Sequence, residues 1–253
     1  MVISRESKDA IEEMIEALTP IEETVTSDIT DKWFIEHNKL VGDLMGAGQE
    51  IGVAALTAFA NFGEDVSNVH RGLLTVAAHA APEDSRDLLK TLMLEYGFPM
   101  DDRAIATRLL AETSPATFLE HAEPFLRRRG IPHQTAPADE FFARGWVVAC
   151  EKLDRSPVDI LADVVTNMAM EPAARHFAAE TLGRYPGPIG RAALETSMIE
   201  SSGNHYLRRK AAQALRESLP RESACDLFFE VLRLETDYHF QVFLRSMIEN
   251  NCR

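Results

Sequence analysis

Apolar residues recur every three or four positions along nearly the whole chain, and no stretch alternates strictly. The pattern predicts helices and no strands. From Lys8 to Leu18 the stripe is Ile11, Met14, Ile15 and Leu18, and Thr19-Pro20 ends it. A second run, from Asp28 to Gly46, carries Trp33, Phe34, Leu40, Val41, Leu44 and Met45. Gln49 to about His79 reads as one long helix with a kink or break at Gly63. Ala81-Pro82-Glu83-Asp84 stops it and starts the next, because proline and acids suit a first helical turn. That next helix ends on Glu95, and a polar-to-amphipathic segment carrying Glu112 follows. A further helix has His121 near its start and stops at Gly130-Ile131-Pro132. Pro137 to Leu153 turns Phe141, Phe142, Trp146 and Val147 inward. Ser156-Pro157 opens a helix expected to pass Asn167, Met168 and Glu171 towards Tyr185, bent at Pro172. Two long runs, Ile189 to Leu219 and Arg221 to Asn250, complete the chain. The expectation is an all-α, single-domain bundle over 1–253 of about eight helices, several longer than twenty residues, with 1–27 a peripheral N-terminal helix.

A repeat is the alternative. The segments Ala174 to Gly183 and Leu207 to Leu215 both resemble the second helix of a HEAT-like repeat. Arg71, Arg103, Arg144, Arg175 and Arg208 follow one another at intervals of 32, 41, 31 and 33. A HEAT-like repeat requires helices of about 10–15 residues, shorter than several read here.

Charge narrows the function classes. With 26 Lys and Arg against 40 Asp and Glu the formal charge is −14, which disfavours nucleic acid and anionic membrane as partners. The basic runs Arg127-Arg128-Arg129 and Arg208-Arg209-Lys210 read as solvated helix faces. Three widely spaced cysteines, Cys150, Cys225 and Cys252, support neither a zinc knuckle nor a disulfide framework, and Cys150 reads as core. There is no apolar run of bilayer length and no secretory leader, so a cytoplasmic protein is expected. Gly46-x-Gly48-x-x-x-Gly52 misses dinucleotide spacing and reads as a helix-joining loop.

The order of segments resembles the haem-oxygenase-like helical fold, in the branch of thiaminase-II-type proteins, pyrroloquinoline-quinone synthase and the dimetal oxidases. Four places carry the likeness: His37-Asn38-Lys39-Leu40-Val41 to Gly46, His70 to Glu95, His121-Ala122-Glu123-Pro124-Phe125-Leu126, and Ser156-Pro157 to Tyr185-Pro186. The resemblance implies iron ligands at Glu95, His121 and Glu171 (or Asn167 beside it), with Glu112 auxiliary and His205 the remnant of the family's last motif. That motif, H-x-x-x-D-x-x-H, is not intact, and no histidine has a glutamate three residues before it. The pairs His176/Glu180 and Glu235/His239 share helix faces, as ligand pairs or as surface hydrogen bonds. The implied protein binds Fe(II), two per chain, with dioxygen as co-substrate. It oxidises a small amino-acid-like substrate, as in natural-product biosynthesis, and a homodimer is implied by the family. Arg175 and Arg191 are the candidates for a substrate carboxylate. The alternatives are a non-catalytic HEAT-like scaffold whose acidic surface binds a basic protein, and a cofactor-free oxidase like pyrroloquinoline-quinone synthase.

Overall fold

A computed structural model of the chain describes residues 3–19, 39–62, 67–95, 97–127, 139–200 and 204–252. Trp33, Phe34, His37, His133, Arg128 and Arg129 lie outside the described residues, as does the stop at Gly130-Ile131-Pro132. The described residues form α-helices and no strand, and none of these helices is long and apolar enough to cross a membrane. In order they are α1 (Arg5–Leu18), α2 (39–45), α3 (Gln49–Asn61), α4 (Ser67–Ala80), α5 (Pro82–Leu94), α6 (Met100–Thr113) and α7 (Pro115–Leu126). There follow α8 (Asp139–Lys152), α9 (Val158–Thr166), α10 (Pro172–Leu182), α11 (Pro188–Glu200), α12 (His205–Ser218), α13 (Arg221–Leu234) and α14 (Tyr238–Asn251).

None exceeds 14 residues, so the long helices expected from periodicity are each two short ones, and the number rises well above eight. Local side chains make the breaks. Asn167 caps the end of α9 and accepts the Ala169 N–H, so the chain turns instead of bending through Pro172, which opens α10. Asn204 accepts the Leu207 N–H at the start of α12, and Asp237 accepts the Phe240 N–H at the start of α14. Short polar side chains that bond nearby backbone compete with helix continuation, whereas the apolar stripe resumes after them. Ser114-Pro115 likewise starts α7 well ahead of His121, which stands mid-helix and not near the N-terminus.

The chain divides into two compact units, Met1–Leu119 and Glu120–Arg253. In the first, α1 lays Ile11, Met14 and Leu18 into a core with Ile51, Ala55, Val69, Leu73 and Val76. Ser4 caps α1 by accepting the Ser7 N–H, which starts that helix three residues before the expected Lys8. Gly48, at φ +98°, leads into α3 in a conformation that side chains resist. Gly52 within α3 packs so closely that an added Cβ would sit 2.6 Å from the Ala81 nitrogen.

Helices associate as consecutive hairpins: α3 with α4 and α5 with α6 in the first unit, α9 with α10, α11 with α12 and α13 with α14 in the second. Alternate helices also pack side by side, α4 on α6, α8 on α10, α9 on α11 and α10 on α12. Three of the five spaced arginines hold equivalent positions in this arrangement. Arg103, Arg175 and Arg208 are each the fourth residue of a helix, are buried, and donate to the carbonyl ten residues earlier. The acceptors are Met93 at 3.4 Å, Val165 at 3.0 Å and Met198 at 2.7 Å. Each lies in the last turn of the preceding helix, where carbonyls lack intrahelical partners, so the arginine closes its hairpin. Arg71 and Arg144 are exposed; Arg144 instead bonds Glu140 at 2.8 Å and lies over the Phe177 ring.

The second unit also holds a disulfide between Cys225 and Cys252, with Cα atoms 5.8 Å apart. The expectation of no disulfide is therefore corrected. Pairing α13 with α14 brings the start of one helix beside the end of the other, a closeness that a 27-residue spacing does not announce. Cys150 is the buried free thiol, and burial pushes its pKa up to about 11.

Candidate functional site

Each side chain expected to hold iron can now be placed. Glu95 caps the end of α5 and is exposed. Glu112, on α6, is half-buried and pairs with His79 at 3.7 Å and with Arg108, one turn earlier, at 3.9 Å. His121 is half-buried on α7. Glu171 precedes Pro172 at the start of α10, and its backbone N–H donates to the buried Asp139 carboxylate at 3.1 Å. His205 begins α12, exposed, with Nδ1 3.4 Å from Asp237. Among the described residues no three His, Cys, Asp or Glu side chains stand together as a group that could hold a metal. The placement gives the iron expectation no support.

The two helix-face pairs also find partners elsewhere. His176 meets Asn204 at 3.4 Å and the Tyr206 ring, while Glu180 pairs with Lys210 at 2.9 Å. Glu235 pairs with Arg208, and His239 lies against Tyr238. Of the substrate arginines, Arg175 is only 4% exposed and directs its Nε to the Val165 carbonyl, while Arg191 pairs with Glu195 at 2.6 Å on the surface.

One buried pair was not legible in the sequence. His70 Nδ1 lies 3.5 Å from Asp102, with Phe59 and Phe62 against the imidazole and no hydrogen-bond partner for Nε2. No spacing rule links positions so far apart on different helices. The His70 imidazole is buried against the Phe59 and Phe62 rings.

An open concavity lies in the second unit. A groove of about 660 Å³ is bordered by Glu195 and Ile199 of α11 and by Leu227, Glu230, Val231 and Leu234 of α13. Those four α13 residues fall at i, i+3, i+4 and i+7, one stripe of a helix. α9 packs directly along α11, but α11 and α13 make no comparable contact; along the stripe Val231 is buried, Leu227 half-buried and Leu234 exposed. Leu234 is 70% exposed and Ile199 54%. The buried ion pair Arg208–Glu235 also lines the groove, with the guanidinium 3.9 Å over the Phe240 ring.

Burial alone would raise the Glu235 carboxyl, but hydrogen bonds from Arg208 and from the backbone of Asp237 and Thr236 outweigh it and set it below its ordinary 4.5. Asp237 is lowered chiefly by the Phe240 N–H, with nearby His205 adding to the effect. His176 is also lowered, first by burial, with Arg175 and Lys210 adding repulsion. Each group binds its proton less readily folded than unfolded, so each costs stability as the pH falls. The loss from His176 begins below its ordinary 6.5, and that from Glu235 only below 4.5, continuing until the lowered native value is passed. Urea midpoints across this range should decline in two stages, and Glu235→Gln should flatten the lower one selectively. An unchanged lower stage would contradict the assignment to Glu235.

Compared with protein-family models, with curated proteins and with solved structures, the chain matches none.

Proposed function

We propose that this protein is a non-catalytic, HEAT-like helical scaffold that binds a protein partner of opposite charge. The observation that supports this reading is the recurrence of one bond. Arg103, Arg175 and Arg208 each close a hairpin onto the carbonyl ten residues back. Repeated hairpins present series of exposed helix faces suited to extended contacts. A surplus of 14 negative charges favours a basic partner and speeds encounter with it. The haem-oxygenase-like, iron- and dioxygen-dependent oxidase rests on the order of sequence segments, and none of the side-chain placements favours it.

Anaerobic Fe(II) titration followed by dioxygen exposure separates the two. The scaffold is expected to take up no stoichiometric iron and consume no dioxygen. It is also expected to co-purify from its own cells in a defined complex with a basic protein, dissociating as salt rises. Near two irons per chain with dioxygen consumption would overturn the scaffold.

A further inference from the structure

Among the described residues, six of the ten large apolar side chains that stand exposed lie between residues 199 and 242, in the last two hairpins. Ile199 and Leu234 border the groove between α11 and α13. Elsewhere in this unit the corresponding position is filled by helix packing, as α9 fills it beside α11. Along α13 Val231 is already buried, so half-buried Leu227 and exposed Leu234 are the apolar positions that a neighbouring helix would cover.

We propose that the groove between α11 and α13 is the docking site for an amphipathic basic helix of a partner protein. The proposal rests on the scaffold reading and names its site. Charge selects the occupant. Four carboxylates line the groove (Glu195, Glu230, Glu235 and Asp237) against one cation, Arg208, which Glu235 already neutralises. Glu195 is bonded to Arg191, which leaves Glu230 at the rim among the exposed apolar residues as the acid best placed to receive a lysine or arginine. An incoming helix sets leucine-like side chains at i, i+3 or i+4 and i+7 against Ile199, Leu227, Val231 and Leu234. Its basic face then meets Glu230 and Glu195. An acidic or uncharged helix would bury the same apolar area but meet repulsion or no attraction at the rim.

The probe is a synthetic amphipathic peptide of about 18 residues, leucine on one face and lysine on the other, read by fluorescence anisotropy on the full chain. Leu234→Asp and Ile199→Asp, both at exposed positions, are expected to weaken binding at least about tenfold, since each places a charge against the apolar face. Glu230→Lys should weaken it about fivefold, and Glu249→Lys, on the exposed side of α14, by less than about twofold. Unchanged helical content by circular dichroism confirms that the variants fold. Equal weakening by Glu249→Lys, or tight binding of a peptide with glutamate in place of lysine, would overturn the proposal. If the chain self-associates and the groove variants abolish that instead, the occupant is a second copy and the basic partner falls. The scaffold reading fails separately, in the iron experiment. Without iron uptake, a salt-sensitive complex indifferent to the groove variants sinks only the groove.

Discussion

Replacing Arg208 by alanine is expected to destabilise the Glu120–Arg253 unit by about 3–5 kcal/mol, the range for breaking a buried ion pair by removing one partner. The side chains of Arg208 and Glu235 are 6% and 8% exposed, so alanine would leave a carboxylate buried with its charge partner gone. It would also strip the Met198 carbonyl of its donor and remove the guanidinium from the Phe240 ring. Arg191→Ala supplies the contrast. Its pair with Glu195 is surface-exposed, and its loss should cost under about 1 kcal/mol. The combination Arg208→Met with Glu235→Leu should recover part of the loss, because two apolar side chains carry no desolvation penalty. Urea melting of the four proteins is the measurement. A cost for Arg208→Ala no larger than for Arg191→Ala would show that the hairpin closure contributes nothing to stability.

The second large effect belongs to the disulfide. Cys225 and Cys252 close a loop across α13 and α14, and the entropy of closing a chain of that length corresponds to about 3–4 kcal/mol. Exchange of both for serine, or addition of a reductant, should lower stability by about that amount. Hydrogen exchange should rise first in α13 and α14, around Phe228, Phe240 and Leu244, which the cross-link holds together. Thiol labelling of the denatured, unreduced chain should find only Cys150. Three labelled thiols, or melts indifferent to reductant, would remove the disulfide from the account.

Sequence reading and structure agree best where the physics is local. The stripe Ile11, Met14 and Leu18 was visible as a helical period and is buried as one, with Ile15 at its margin. The inward turn of Phe142, Trp146 and Val147 on α8 was equally legible. Agreement weakens at the helix ends. Asn167, Asn204 and Asp237 are ordinary cap residues, yet the apolar period resumes in phase beyond each of them and hides the break. Of the spaced arginines, Arg103, Arg175 and Arg208 carry the repeat, while Arg71 and Arg144 stand on exposed faces. Spacing alone does not separate those two groups, because it does not say which side of the helix faces its hairpin partner.

Residues proposed for chemistry were the least legible. Glu112 was implied as an auxiliary iron ligand, yet it faces His79 across 3.7 Å. Glu235 was read with His239 on one helix face, whereas it is Arg208, 27 positions earlier, that reaches it. The groove rim combines Ile199 and Glu195 with a stripe that begins 28 positions after Ile199.

Taken by itself, the sequence determined that the described residues form helices and no strands, which faces of many helices turn inward, and that the net charge is strongly negative. Those properties depend on spacings of three and four residues and on composition, which act wherever the chain lies. Tertiary structure alone decided which carboxylate meets which cation, which cysteines join, and that Leu234 of α13 and Ile199 of α11 stand exposed on one groove. Such pairings depend on how hairpins close and stack, so they join residues between which the intervening sequence carries no periodic signal.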